Sequence, residues 1–273
     1  MTKLSGNVAV VTGGARGLGR AAAHRLGMLG AHIVILDVNL TAATQYGEEL
    51  SAETIAGDLR SRGISCSEIQ VDLTKKAETD EAFSNITNEL GRVDILVNVA
   101  GGLTTSGAGQ AAEISAEDMR VNMDLNLMTT VHCCQAAAPI MRSLGGGAIV
   151  NVSSASAIWT YPDGKYAGYA VAKAALNHYT RHLAAELGPN NIRVNSIAPG
   201  LFLTSRVVAL SKSRGIGGAA ELASIPLRRH GTLEDFAGVV EFLATDLSSY
   251  VTGECIPVCG GSLLTGGPQA RAS

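Results

Sequence analysis

Seven short apolar runs rich in β-branched residues recur along this chain, separated by longer stretches with helical spacing. The runs are 7–12 (NVAVVT), 32–37 (HIVILD), 67–72 (SEIQVD), 93–100 (VDILVNVA), 147–154 (GAIVNVSS), 192–199 (IRVNSIAP) and 255–260 (CIPVCG). Near-continuous hydrophobicity, rather than alternation, is what a strand shows when both faces of its sheet are covered, as in parallel sheets. Segments 17–29, 75–90, 115–143, 166–187 and 233–245 read as the covering helices. The alternation predicts an α/β fold: a doubly wound, parallel, seven-stranded sheet with helices on both faces. No linker and no repeat beyond the strand–helix unit interrupts it, so residues 1–273 are expected to form one domain.

Two segments exceed what the alternation needs. Residues 38–50 (VNLTAATQYGEEL) precede a capped helix expected to start at Ser51, with Ala52, Ile55, Ala56 and Leu59 as its apolar stripe and Gly63 ending it. Residues 204–225 have a Gly/Ser-rich middle that suggests a mobile surface flap, and 265–273 reads as a tail.

Composition excludes several classes. A formal net charge of −3 with no long Lys/Arg run argues against nucleic acid as the main partner. The five cysteines (Cys66, Cys133, Cys134, Cys255, Cys259) contain no CxxC pair, so no metal site is expected, and their scatter fits a reducing compartment. No signal-peptide pattern opens the chain, and no segment reaches the ~18 apolar residues of a membrane helix. A cytoplasmic protein with no membrane partner is the expectation.

Three motifs carry chemistry. TGGARGLG (12–19) sets Gly13, Gly17 and Gly19 directly after a strand and at the mouth of a helix, where free N–H groups favour a pyrophosphate. An ordinary βα turn is the competing reading. Asp37 ends the second strand about 20 residues on, where a carboxylate accepts the adenosine ribose hydroxyls and repels a 2′-phosphate. Arg16 inside the turn would instead attract that phosphate; Asp37 is given more weight, because Arg16 can face solvent. Tyr169 and Lys173 stand at i,i+4, on one helix face, so the ammonium can sit beneath the phenol and favour phenolate. Tyr166 is seven residues from Lys173, and Tyr161 precedes Pro162, so Tyr169 is the candidate acid/base.

Together these pieces strongly resemble the short-chain dehydrogenase/reductase family over nearly the whole chain. The resemblance also rests on NVAG (98–101), Asn126 in MDLNLMTT, NSIAPGLFLT (195–204) and YVTGECIPVCGG (250–261). It implies a Rossmann sheet, NAD as cofactor with NADP less favoured, and a secondary alcohol or ketone as substrate. It implies that Tyr169 exchanges the proton, that Lys173 binds the nicotinamide ribose and lowers the phenol's pKa, and that Asn126 holds a relay water. It assigns Leu18 and Gly101 to the cofactor with the three glycines and Arg16. Asp72 and Leu73 would contact adenine, Asn98 and Ala100 would flank a ribose, and Pro199, Gly200, Phe202 and Thr204 would orient the carboxamide. It further implies a homotetramer, for which Ala167, Ala170, Ala172, Ala174 and Ala175 would allow close helix packing.

The family's serine is the unsettled position. Counting back from Tyr169 by the usual interval reaches Ser156, whereas reading forward from the fifth strand reaches Ser154. The rules disagree because Pro162 and Tyr169 are separated by two extra residues. Strand ends resist slippage and loops absorb insertions, so the insertion is expected to bulge out at DGKYAG, leaving Ser154 as the catalytic serine and Ser156 lining the pocket. Cys259 replaces the aspartate usual in the closing turn and is read as a buried, inert thiol.

Leu103, Ser156, Trp159 and Leu201 are the expected substrate contacts, mostly apolar, which suits a ring-bearing alcohol or ketone. Trp159 could stack on that ring or pack against the flap. The rivals are an NADPH-dependent 3-oxoacyl-type ketoreductase, disfavoured by Asp37 and by the absence of arginine at Gly145 and Asn190, and an idle binding or scaffold member, disfavoured by the intact Asn-Ser-Tyr-Lys set.

Overall fold

The computed structural model describes residues 3–104, 109–214 and 219–265. Seven strands, β1 (Val8–Thr12), β2 (His32–Asp37), β3 (Cys66–Gln70), β4 (Ile95–Asn98), β5 (Gly147–Val152), β6 (Ile192–Pro199) and β7 (Cys255–Val258), form one parallel sheet ordered β3-β2-β1-β4-β5-β6-β7. The central strands are apolar over most of their length because the side chains of each face enter a different core. Ala9 and Val11 of β1 join the core under α1 (Gly17–Met28), α2 (Ile55–Ser61) and α9 (Leu233–Ala244). Val8 and Val10 join the core under α3 (Lys76–Leu90), α5 (Thr129–Leu144) and α6 (Ala167–Leu187). Strand order reverses between β1 and β4, and the carboxyl ends there open a crevice, the place where such sheets take ligands.

Several expected boundaries move, each for a visible reason. β4 stops at Asn98 because the next two amides, of Val99 and Ala100, turn to the Thr12 hydroxyl at 3.1 Å each instead of a neighbouring strand. β5 stops at Val152, two residues short of the expected end. The helix placed at 115–143 is α4 (Ala116–Met123) and α5, joined by a π-helical turn at Asp124–Met128. Helix α2 starts after Thr54, whose hydroxyl accepts the Gly57 amide at 3.3 Å, and not at Ser51. Ser51 is drawn off by Asp58, which takes its amide at 3.0 Å and its hydroxyl at 2.8 Å.

The two extra segments meet. Within 38–50 a short 3-10 turn (Thr44–Tyr46) leads to Glu48, whose carboxylate accepts the Gly17 amide (3.0 Å) and the Ser205 hydroxyl (2.5 Å) and pairs with Arg20 (3.0 Å). The segment is therefore tied to the glycine turn and not merely solvated. The flap is helical where it is described, as α7 (Ser205–Arg214) and α8 (Ala219–Ser224); residues 215–218 lie outside the described residues, as do 266–273 of the expected tail. No helix among the described residues is long and apolar enough to cross a membrane.

Candidate active site

At the cofactor end of the crevice, β1 ends at Thr12 and the chain turns sharply into α1. Gly19 carries this turn: a Cβ there would lie 2.1 Å from the Gly13 carbonyl oxygen, and one on Gly13 would lie 2.9 Å from the Ala100 backbone. Arg16 occupies the N-cap of α1 without capping it through its side chain. The Glu48 carboxylate takes the first amide instead, which shows that this helix terminus holds an anion. The glycine turn thus fits the pyrophosphate of a dinucleotide.

Asp37 stands at the end of β2 with Oδ2 accepting from the Ala15 amide and Oδ1 from the Asn39 amide, at 3.1 Å each. Burial raises its pKa above the usual carboxylate value, and these hydrogen bonds and Arg16 pull it back. The Arg16 guanidinium lies over the Tyr46 ring, 4.8 Å from its centroid, so it stacks on the extra segment rather than facing free solvent. Asp72 and Leu73 continue the wall beside Asp37, and the Asp72 carboxylate caps its own turn through Thr74.

At the other end, Ser154 follows β5 and caps a short 3-10 turn, its hydroxyl accepting the Ser156 amide at 3.1 Å. Ser154 and the Tyr169 phenol line the same cleft, and Ser154 lowers the phenol's pKa. Lys173, one turn along α6, is buried and donates to the Val152 carbonyl at 2.7 Å, with its ammonium 6.0 Å from the Tyr169 ring centroid. Burial pushes the Tyr169 pKa up, while Ser154 and Arg206 of α7 lower it; burial alone brings Lys173 down to about 8. The expected downward pull of Lys173 on the phenol is not what the structure displays. Among charged groups it is Arg206 that lowers the phenol's pKa.

One cleft of about 1160 Å³ collects most of the expected residues. Gly13, Arg16, Gly17, Leu18, Gly19, Ala100 and Gly101 form its floor at the cofactor end; Pro199, Gly200 and Thr204 run along its side. Ser154, Ser156, Trp159, Tyr169, Leu103 and Leu201 surround the far end. Cys259 also lines the cleft, half-buried against Gly200, instead of being sealed in the core.

Three expected residues reach it differently. Asn98 faces the interior, donating to Asn151 Oδ1 (2.9 Å) and toward Cys134 Sγ (3.4 Å), because its side chain follows the core face of β4. Its side chain is not among those that line the cleft. Phe202 buries its ring against Gly231 and Phe236, leaving only its backbone for the cleft. Asn126 is wholly buried in the π turn; its Oδ1 accepts the Gly102 amide at 2.7 Å and its Nδ2 donates to the Asn122 and Gly102 carbonyls. Its side chain braces the loop after β4.

The structure adds residues that the motifs did not flag. Tyr166, set aside as a bystander, lines the cleft. Arg206, noted only as part of a basic flap, donates to the Leu103 carbonyl at 2.9 Å and borders the same space. Neither has a sequence spacing to the other site residues that could have identified it.

A family model described as enoyl-(acyl carrier protein) reductase matches residues 13–262. A cyclohexanol dehydrogenase of Rhodococcus sp. is 40% identical over 262 residues, covering 94% of this chain and 96% of its own. The chain belongs to the short-chain dehydrogenase/reductase family. It is an oxidoreductase of the alcohol dehydrogenase and ketoreductase kind, with NAD(P) as cofactor. A 3α-hydroxysteroid dehydrogenase of Mediterraneibacter gnavus is 38% identical over 257 residues, covering 94% of this chain and 97% of its own. A solved structure of 7α-hydroxysteroid dehydrogenase with NADH and 7-oxo glycochenodeoxycholic acid superposes with a TM-score of 0.84, at 31% identity, covering 99% of this chain and 98% of that one.

Proposed function

We propose that the protein is an NAD-dependent dehydrogenase of apolar, ring-bearing secondary alcohols, acting reversibly on the corresponding ketones. The observation that carries this reading is the single cleft that brings Ser154, Tyr169 and Lys173 together with the apolar Trp159, Tyr161 and Leu201. The glycine turn, Asp37 and Lys173 would hold the dinucleotide, which would supply a hydride acceptor for the alcohol and a hydride donor for the ketone. Tyr169 takes the hydroxyl proton as the C–O bond becomes a carbonyl, and gives it back in reduction. Ser154 donates to the same oxygen, fixing it beside the phenol. Lys173, donating to the Val152 carbonyl, would hold the nicotinamide ribose, and Asn126, whose side chain bonds Gly102 and Asn122, would hold the relay water.

NAD is favoured over NADP because a 2′-phosphate would meet the Asp37 carboxylate, while Arg16 is engaged by Tyr46. A homotetramer is favoured because the outer face of α6 carries the exposed Val171 and Ala174, small enough for a second helix to approach. The 3-oxoacyl rival finds no basic docking site at Gly145 or Asn190, and Arg142 beside them is paired with Glu186 at 2.6 Å. The test is NADH formation with cyclohexanol, a hydroxysteroid and an acyclic alcohol, set against NADPH oxidation with a 3-oxoacyl thioester. Turnover of the thioester alone would overturn the reading; a single species of one-chain mass in light scattering would overturn the tetramer.

A further inference from the structure

The two residues inserted before Tyr169 are taken up in the surface loop ahead of α6, as expected, with Pro162, Asp163 and Lys165 exposed. The loop between Pro162 and Tyr166 is turned back and pinned: the Gly164 amide donates to the Tyr161 carbonyl at 2.9 Å, the Ala111 amide to the Gly164 carbonyl at 3.1 Å, and Gln110 Nε2 to the Asp163 carbonyl at 3.0 Å. The loop then enters α6 through Tyr166, whose backbone is left-handed at φ 64° and ψ 23°. Glycine or asparagine occupies that region with less strain than a bulky aromatic, and such strain persists only where the surroundings impose it, commonly at functional sites.

The conformation sets the position of the ring. Tyr166 packs edge-on against Tyr161, with centroids 4.9 Å apart, and Tyr161 packs edge-on against Trp159 at 4.5 Å. All three line the cleft together with Ser154 and Tyr169. They are a continuous aromatic wall, and the extra residues are what bring the third ring to it. We propose that Tyr166 is a specificity-determining residue, held in a strained left-handed conformation so that its ring completes a Trp159–Tyr161–Tyr166 wall against which an alicyclic substrate packs. The inference rests on the proposed ring-bearing substrate and deepens it. A rigid ring offers a flat apolar face to such a wall at little entropic cost, whereas an open chain must freeze rotors to do the same.

The test uses the full chain carrying Tyr166→Asn, Tyr166→Gly and Tyr166→Phe. Affinities for decalone and for decan-2-one, the open-chain ketone of the same carbon count, are measured calorimetrically on the NADH complex, and thermal midpoints are measured without ligand. In the wild type decalone should bind about tenfold more tightly than the open chain. Asn and Gly should bring that ratio near parity and leave the thermal midpoint equal or higher, because strain is relieved. Phe, which retains the ring, should retain the preference. An unchanged ratio in Asn and Gly, or an equal loss for both ketones with a lower midpoint, overturns the inference and leaves Tyr166 as a structural cap. Because binding is read apart from turnover, a wild type that prefers decalone yet oxidises no alcohol would refute the proposed function while supporting the wall.

Discussion

The two ends of the cleft are built from different materials. The end proposed for the cofactor rests mainly on backbone, a glycine turn between β1 and α1, with two side chains, the Thr12 hydroxyl on the loop after β4 and one carboxylate at a strand end. The substrate end is made of side chains from separate places: Ser154 after β5, Tyr161 and Tyr166 in the loop before α6, and Arg206 on α7. Backbone sites tolerate almost no added volume but need few residue identities. Side-chain sites accept substitution at the cost of changing what they bind. On the proposed function, the first would be a fixed socket and the second would set specificity.

The comparison can be broken at either end. Removing the Tyr169 hydroxyl (Tyr169→Phe) should lower kcat by about 10³-fold while NADH affinity, read by fluorescence, changes less than about twofold. Loss of both together would mean that the two ends are one unit. Gly19→Ala should do the converse: its Cβ, 2.1 Å from the Gly13 oxygen, forces the turn open, and NADH affinity should fall by about 100-fold at a backbone cost near 2–3 kcal/mol. An alanine variant with normal affinity would show that the turn is softer than drawn.

Cofactor choice should follow the socket as well. The kcat/KM for NAD should exceed that for NADP by at least about 100-fold in steady-state assays, because a phosphate at Asp37 meets like charge. Equal rates would make Arg16 the deciding residue. Within the substrate end, Ser154→Ala should reduce kcat by about 100-fold, as one hydrogen bond to the developing charge is lost, whereas Ser156→Ala should act mainly on KM. The reverse pattern would place the working end of β5 two residues further on.

The smallest effect is a pH dependence of stability. Lys173 titrates at about 8 when folded, below the ordinary lysine value of about 10.4 in the unfolded chain. Between these values the unfolded chain holds more protons, so this residue's penalty is full below about pH 8 and is relieved as pH rises. Buried cysteines and tyrosines, whose pKa values are raised, work in the opposite direction in the same range. The difference between wild type and Lys173→Met in denaturant titrations isolates the lysine: the variant's stability advantage should shrink from pH 8 to 10. A constant difference would mean that Lys173 keeps its ordinary pKa.

Sequence alone determined the sheet, its covered faces and the glycine turn between β1 and α1. Those depend on local patterns: continuous apolar runs for strands buried on both sides, glycines for a turn whose atoms nearly touch, and an i,i+4 spacing that puts Tyr169 and Lys173 on one helix face. Each is written within a few residues, so spacing is enough to read it. Tertiary structure decided the rest. Asn98 turned inward because its face of β4 meets Asn151 and Cys134, neither of which its neighbours announce. Helix α2 began at Ile55 because Asp58 claimed Ser51 from across a turn. The inserted loop stays at the surface but is pinned there by residues 110–111, some fifty positions earlier in sequence, which supply its hydrogen bonds. Burial, not proximity of charge, set the pKa of Lys173 and most of that of Tyr169. These outcomes depend on what lies across space, and a residue's partners in space are chosen by the whole fold's packing rather than by its neighbours in the chain.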